Sequence, residues 1–333
     1  MPRRTSSQSL ISVVIPLYQG VETIERTLRS IQRQTWPRVE IVVVDDGSKD
    51  GGPELVRRAA LEDRRIRLIT QDNAGVAEAR NRGARAAAGD FLAFVDADDL
   101  SGPERLELQI AALQASGEDV GLAYTWSALI DEDDRVYSTW HRPEKEGWVI
   151  RDLCRANFVG NGSCTLIRRT AFEQVCGYDP SLHAQDAQGC EDLMIYLRLA
   201  EHYQFRVVRR HLTGYRVTRA NMSSDAVRML RSCQLTLGAF RPRYPEYAAE
   251  FEAHERDMAY WLLARALTTG PTANAAALLA QRGLRHVFEL APRAVDLAWL
   301  TVKARAPAWA KRAGQRVVHR GGPFRPLYSE LAP

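Results

Sequence analysis

The sequence predicts an α/β protein with a mixed, mainly parallel sheet, helices on both of its faces and a helical region at the C-terminal end. Three observations carry this. Short, wholly apolar runs recur through the first 125 residues, amphipathic stretches of helical spacing separate them, and from about residue 225 the spacing is helical alone. Strands buried on both faces read as continuous apolar runs and need crossover helices, which is the layout of a parallel sheet. A length of 333 residues suits about two domains. The pattern divides the chain into a flexible start over 1–9, an α/β domain over 10–225 and a helical region over 226–333 that ends in a basic tail.

The elements follow in order. Residues 11–15 (ISVVI) are apolar and β-branched and are closed by Pro16. Residues 21–34 place Ile24, Leu28 and Ile31 on one helical face. Strands at 40–44 and 66–69 flank a short helix at 53–61, and an Ala- and Arg-rich helix follows at 74–88. A strand at 91–95, a helix at 103–115 and a strand at 120–125 complete the alternation. The rhythm lapses over 127–162, then returns with a strand at 163–168, helices near 170–176 and 190–202, and a last strand at 205–208. Helices are predicted over 227–240, 247–268, 272–290 and 295–318.

Composition excludes several classes. With 45% hydrophobic and 26% charged residues the chain is neither disordered, collagenous nor a small disulfide scaffold. Five cysteines without a C-x-x-C pair argue against a zinc knuckle and for a reducing compartment. The N-terminus lacks the apolar core of a signal peptide, and no run approaches the ~20 apolar residues of a membrane span. The expectation is a cytoplasmic protein, at most peripheral at the inner face of the cell membrane. The net charge of +4 is split unevenly: residues 271–333 hold 10 Lys+Arg and 3 Asp+Glu, so +7, and the other 270 hold 35 and 38, so −3. The basic tail sets Trp299 and Trp309 among Lys303, Arg305, Lys311, Arg312 and Arg316. That suits anionic lipid at a membrane surface, and equally a helical lid or a homo-oligomer contact. Nucleic acid is not expected as a partner.

Each early strand ends in a polar cluster, and strand ends of a doubly wound sheet open on one crevice. Asp96 and Asp98 stand two residues apart just past the fourth strand, as oxygen ligands for Mn²⁺ or Mg²⁺ or as a turn-capping cluster. The run Asp45–Asp46–Gly47–Ser48 reads as a β-turn, or as a carboxylate accepting a uracil imide N–H. Arg80 lies one or two turns inside a helix that follows Asp72, Asn73 and Gly75, in reach of a phosphate. Glu191 and Asp192 open a helix, where acids suit the macrodipole or supply a general base. The loop with Gly162 and Ser163 reads as a plain turn or as backbone laid near a ligand, Trp140 as a core residue or a platform stacking on a sugar, and the polar run with His211, Arg216 and Ser223 as structural or as the acceptor or phosphate side.

These segments form one pattern: SVVIPLYQG, VEIVVVDDGSKDG, QDNAGVAEARNRGARAAAGDFLAFVDADD, NGSCTLIRRTAFEQVCGYDPSL, CEDLMIYLRLAEHYQFRVV and GYRVTRANMS. In this order, over about residues 10–225, the chain resembles the inverting family-2 glycosyltransferases with the Rossmann-like GT-A nucleotide-sugar fold. The resemblance implies a metal-dependent enzyme of hexosyltransferase type that passes a sugar from a nucleoside-diphosphate sugar to an acceptor hydroxyl. The acceptor would be a saccharide or lipid-linked, in polysaccharide, glycolipid or glycoconjugate synthesis. It further implies that Pro16, Tyr18 and Asp45 border the nucleoside, with Asp45 at the uracil of a UDP-sugar. Asp72 and Arg80 would face the base and diphosphate, Asp96 the ribose or the metal, and Asp98 would ligate Mn²⁺ or Mg²⁺. Of the pair Glu191–Asp192, Asp192 would be the base. A departure from the family is Tyr178, where relatives often carry Phe. The alternatives are a sugar-nucleotide-binding protein without catalysis, and a nucleotidyltransferase, whose Gly-rich basic loop is missing at Pro16–Gln19.

Overall fold

The computed structural model describes residues 9–139, 141–217 and 225–268. Their elements run β1 (Ile11–Leu17), α1 (Ile24–Gln32), β2 (Val39–Asp45), α2 (Gly52–Glu62), β3 (Ile66–Thr70), α3 (Val76–Ala86), β4 (Phe91–Phe94), β5 (Leu100–Ser101), α4 (Arg105–Gln114), β6 (Val120–Ile130), β7 (Val136–Ser138), α5 (Ile150–Arg155), β8 (Thr165–Arg168), α6 (Arg169–Gln174), α7 (Ser181–Ala184), α8 (Glu191–Ala200), β9 (Gln204–Arg216), α9 (Ala226–Phe240) and α10 (Ala248–Thr268). They fall into two compact units, residues 9–184 with 191–217, and residues 185–190 with 225–268. No helix among the described residues is long and apolar enough to cross a membrane. The helices expected over 272–290 and 295–318, and the basic tail, lie outside the described residues.

The first unit is built on one mixed sheet in the order β3-β2-β1-β4-β8-β6-β9-β5, with β7 paired to β6. β1 pairs in parallel with β2 and β4, β2 with β3, and β6 with β9. β8 is inserted antiparallel between β4 and β6, and β5 and β7 are antiparallel edges. The apolar runs of β1, β2 and β4 are buried almost throughout, as strands covered on both faces must be. Ile24, Leu28 and Ile31 of α1 and Leu106, Ile110 and Leu113 of α4 belong to one core that runs over β1, β2, β4, β6 and β8. This burial is the main force holding the layers together.

The structure lengthens two strands. β9 spans 13 residues where the sequence predicts 205–208, and β6 spans 11. Arg209 and Arg210 are exposed and break the apolar pattern, yet Leu212, Thr213 and Gly214 return to the interior. The register between β6 and β9 shifts at Thr125/Trp126 and Trp126/Ser127, and such bulges re-aim side chains without ending a strand. A buried Thr125–Thr213 hydroxyl pair of 2.9 Å closes the seam beyond them. His211 and Arg216 therefore sit on a strand and not on a loop after it.

In the second unit Asp225 caps α9 by accepting the Arg228 N–H. Ala226 and Leu230 of α9 pack against Ala259, Leu262, Leu263 and Ala266 of α10.

α3 approaches the sheet at Gly83, where an added Cβ would stand 2.3 Å from Val14 Cγ1 and 3.1 Å from Val44 Cγ2. Gly83→Ala is expected to cost about 1–3 kcal/mol by overpacking and to lower the Tm by roughly 3–10 °C. A thermal melt checks this, and an unchanged Tm would mean that α3 does not dock this closely.

Candidate active site

The carboxyl ends of β1, β2, β3 and β4 lie side by side and carry the polar clusters. Pro16 keeps its place in β1 opposite Val44, while the pairing of β1 with β4 ends at Val14. Pro16 has the parity of Val14, whose carbonyl accepts the Val95 N–H on the β4 side. Its missing N–H thus leaves no ladder bond unmade. Tyr18, just beyond, is 57% exposed at the rim. Gln19 next to it adopts φ 52° and fastens two loops together. Its N–H donates to Ser48 Oγ (3.1 Å), and its Oε1 accepts the N–H groups of Lys49 (2.9 Å) and Asp50 (3.1 Å).

Asp45 is buried at the end of β2, and its Oδ1 accepts the Ser48 N–H at 2.9 Å, which makes the turn that one reading of the sequence foresaw. The neighbouring Asp46 takes more. Its Oδ1 accepts Gln71 Nε2 (2.7 Å) and the Ala74 N–H (2.8 Å), and its Oδ2 accepts the Gly75 N–H (2.9 Å). Its own carbonyl accepts Asn73 Nδ2 at 3.0 Å. Gly75 has φ +88°, a conformation costly to other residues, and it lets the chain turn from this carboxylate into α3. Asp72 stands exposed in the same turn.

α3 carries Arg80 inward, and only 3% of its side chain is exposed. Nη2 donates to Asp96 Oδ1 at 2.6 Å and Nη1 to Asp192 Oδ1 at 2.9 Å. The guanidinium lies over the Tyr178 ring, 5.0 Å from its centroid. Asn81, the next residue, exchanges two 2.9 Å hydrogen bonds with the Tyr178 backbone, so the arginine and its aromatic floor are placed together. Asp192 enters from the first turn of α8, beside the buried Glu191. Gly162, in a 3-10 turn at Gly162–Cys164, completes the enclosure. A Cβ there would meet Asp192 Oδ1 at 2.9 Å and Arg80 Nη2 at 3.0 Å. Ser163 Oγ accepts the Asp96 N–H at 3.0 Å, and the Ser163 carbonyl accepts Nη1 of the buried Arg105.

Burial first, and neighbouring charges second, set the protonation of the cluster. Asp192 is pushed up to about 6 by burial, opposed by Arg80 and the Gly162 N–H and reinforced by Asp96 and Glu191. Asp98 is likewise pushed up to about 6, by burial and then by the charge of Asp96, with Arg216 opposing. Asp99 is fully buried and held well above the usual carboxylate range by burial, then by Asp98 and Asp96. Arg80 is held well above its ordinary value because Asp192 and Asp96 outweigh its desolvation. Asp96 and Asp98 are carboxylates of the hard oxygen type that suits Mn²⁺ or Mg²⁺ completed by substrate oxygens, and among the described residues no cluster of three or more such ligands is gathered.

The structure therefore gathers Arg80, Asp96, Asp98, Gly162, Ser163, Glu191 and Asp192, with Asp45 at the end of β2 and Asp72 on the turn into α3. His211 is occupied elsewhere. Its Nε2 shares a hydrogen with the Thr139 carbonyl at 3.1 Å, its ring lies 5.2 Å from Trp126, and burial and Arg142 hold it below its usual value. Arg216 is buried beneath the Asp98–Asp99 loop. Trp140 and Ser223 lie outside the described residues. Sequence reasoning gave no site role to Asp46, Tyr178 or Asn81, whose signals were the doubled aspartate after β2, the Gly177–Tyr178–Asp179 run and the Arg80–Asn81 dipeptide.

A mixed, mainly parallel sheet covered by helices is the frame of the GT-A fold. The family model described as glycosyl transferase family 2 matches residues 12–176, and the chain belongs to that family. A putative glycosyltransferase of Bacillus subtilis, EpsH, is 30% identical over 169 residues, 49% of this chain and 48% of that protein. The chain spans less than half the length of the first curated relatives it matches. Among solved structures, S. aureus TarS 1-349 in complex with UDP-GlcNAc superposes with TM-score 0.56 at 17% identity, covering 95% of this chain and 98% of that one. The mannosyltransferase PcManGT of Pyrobaculum calidifontis, in complex with GDP-Man and Mn²⁺, gives TM-score 0.54 at 20% identity, covering 90% and 88%. At these identities the two structures speak for the fold.

Asp46→Ala would leave the N–H groups of Ala74 and Gly75 without their acceptor. A loss of about 2–4 kcal/mol in folding stability is expected, with a smaller loss for Asp46→Asn, which keeps one oxygen. Urea unfolding midpoints check the order of the two variants.

Proposed function

We propose that this chain is an inverting, metal-dependent glycosyltransferase that moves a sugar from a nucleoside-diphosphate sugar, UDP-linked, to an acceptor hydroxyl. One observation carries the reading: a single buried arginine is shared between Asp96, one of the two candidate cation ligands, and Asp192, a carboxylate poised near pH 6. Such a cluster can neutralise a leaving diphosphate on one side and remove a proton on the other.

In the proposed reaction Asp192 accepts the proton of the acceptor hydroxyl. The acceptor oxygen bonds to the anomeric carbon as the bond from that carbon to the diphosphate oxygen breaks. The electron pair leaves with the diphosphate, and configuration inverts. Arg80 stabilises the charge that develops there. Asp98, with Asp96, would hold Mn²⁺ or Mg²⁺, whose chemistry at this place is further neutralisation of the diphosphate. Tyr18 would cover the nucleoside, and the second oxygen of Asp45 would take the uracil imide. The bound UDP-GlcNAc of TarS and the GDP-Man and Mn²⁺ of PcManGT support a nucleotide-sugar donor and a cation. Residues 10–225 would form the catalytic domain. The basic tail after it would contact anionic lipid near a saccharide or lipid-linked acceptor, in polysaccharide, glycolipid or glycoconjugate synthesis.

Asp192→Asn is expected to keep UDP binding in the presence of Mn²⁺ and to lose transfer by about 10²–10⁴-fold. Nucleotide titration and initial rates measure the two, and normal transfer by this variant would remove Asp192 as the base. The base works deprotonated, so kcat/KM should be full well above the folded value of about 6 and fall as pH drops through it. A rate that stays level down to pH ~5 would contradict that assignment.

A further inference from the structure

Arg216 ends β9 with its side chain 1% exposed, and its donors are divided among three parts of the fold. Nε donates to the Asp98 carbonyl at 2.7 Å, and the Arg216 backbone N–H donates to Asp99 Oδ1 at 2.9 Å. Nη1 donates to the Asp131 carbonyl at 2.6 Å, and Nη2 pairs with the Asp134 carboxylate. Asp131 and Asp134 belong to the turn between β6 and β7, where Asp134 adopts φ 66°. The same Asp134 oxygen, Oδ1, is shared with Arg26 of α1, whose Nη1 reaches it and the Glu132 carbonyl, both at 2.8 Å.

The chemistry of these contacts is informative. An arginine that serves only as a buried counter-charge would spend its fork on carboxylates, as Arg80 does. Arg216 uses one arm for charge balance and two for main-chain carbonyls, one of them that of Asp98 itself. A planar guanidinium fixes the directions of its N–H groups, so a carbonyl it grips is set in orientation as well as in distance. The Asp98 peptide is thereby fixed from below by Arg216 Nε, and the next residue is fixed through Asp99 Oδ1.

We propose that Arg216 is the positioning residue for Asp98. It fixes the main chain of the loop over 96–99, so that the Asp98 carboxylate is presented to a divalent cation, and Asp134, clamped by Arg26, sets the angle of the Arg216 fork. The proposal rests on the reading of Asp98 as a cation ligand. It turns the β6–β7 turn, remote in sequence from the D-x-D segment, into part of the support of that site. Residues that orient metal ligands typically change metal affinity by about 10–100-fold when replaced.

The test is a titration of Mn²⁺ into the full chain with UDP present, followed by the electron paramagnetic resonance of free Mn²⁺. UDP affinity in EDTA and a thermal melt are recorded beside it. Arg216→Lys keeps the charge and loses the fork, and is expected to weaken Mn²⁺ binding about tenfold or more with UDP affinity in EDTA unchanged. Arg26→Gln loosens only the outer clamp, and a loss of about two- to fivefold in Mn²⁺ affinity is expected, below the range for direct support. Asp134→Asn keeps an acceptor oxygen and a residue tolerant of positive φ, and should partly restore the binding lost in an Asp134→Ala chain. A folded Arg216→Lys chain that binds Mn²⁺ as the wild type does overturns the proposal. If that chain does not fold, an unchanged Mn²⁺ affinity in Arg26→Gln overturns it in its place. A wild-type chain that takes up no Mn²⁺ with UDP present overturns the cation reading of Asp98 itself, and this proposal falls with it.

Discussion

Arg80 carries a full positive charge into a place where 97% of its side chain is shielded from water, and much of the surrounding structure answers that demand. A buried guanidinium is tolerated only when carboxylates and hydrogen-bond acceptors meet it. Two carboxylates do so from unrelated segments, one past β4 and one opening α8. To bring all three together α3 must lie close on β1 and β2, which Gly83 permits, and no side chain can occupy the corner filled by Gly162. Tyr178 then closes the floor, fastened through Asn81 on the same helix. One ion cluster therefore sets the docking depth of a helix, the choice of two glycines and the path of the segment over 177–179.

The burial that encloses this cluster also works against stability. Asp98 and Asp192 titrate near 6 in the folded chain, above the ordinary value of 3.8. A carboxyl whose folded value is raised binds its proton more tightly when folded than when unfolded. Its favourable contribution is complete below the unfolded value and is lost as pH rises through about 6. At neutral pH these groups are ionised against their surroundings, and the strands and helices that bury apolar surface must offset that cost. Pre-arranged charge of this kind is what a site needs if it is to meet new charge on a ligand without first reorganising.

Much of this was legible in the sequence, for physical reasons that can be traced. β1, β2 and β4 announce themselves because a strand covered on both faces has no polar alternation to confuse it. Asp45, Arg80 and Asp96 were placed at one crevice because strand ends of a doubly wound sheet converge. Asp192 joined them through the resemblance of its segment to a family pattern. The far half of β9 was not legible, since the exposed Arg209 and Arg210 interrupt its apolar pattern and are themselves the extra residues of a bulge that only the pairing with Thr125 and Trp126 of β6 defines. Asp46 was passed over for Asp45 because two adjacent aspartates look alike in a string. Only the folded chain shows that one takes three donors and the other takes the Ser48 N–H. Tyr178 carried a family pattern, but nothing local told that its ring would lie under a guanidinium.

Arg80 and Arg216 are both buried, and the contrast between them explains how the site combines fixed and adaptable charge. Arg80 holds two carboxylates that remain 28% and 17% exposed, and its Nε has no hydrogen-bond partner. An anion arriving from the open side of Asp96 and Asp192 therefore meets an arginine whose present partners are reachable and whose charge is balanced only by groups that can take another cation or a proton. Arg216 is bound to backbone carbonyls on two segments and to a carboxylate that a second arginine already grips. Carbonyls cannot titrate or be exchanged for substrate, so this arginine has no route to a new partner without unmaking the loop it supports. In the proposed reaction the first would follow the charge of the ligand, and the second would keep the carboxylates in place. A chain that exchanged these two environments would lose both properties, because a guanidinium fixed by carbonyls cannot turn to an arriving anion, and one held by exposed carboxylates cannot orient a peptide.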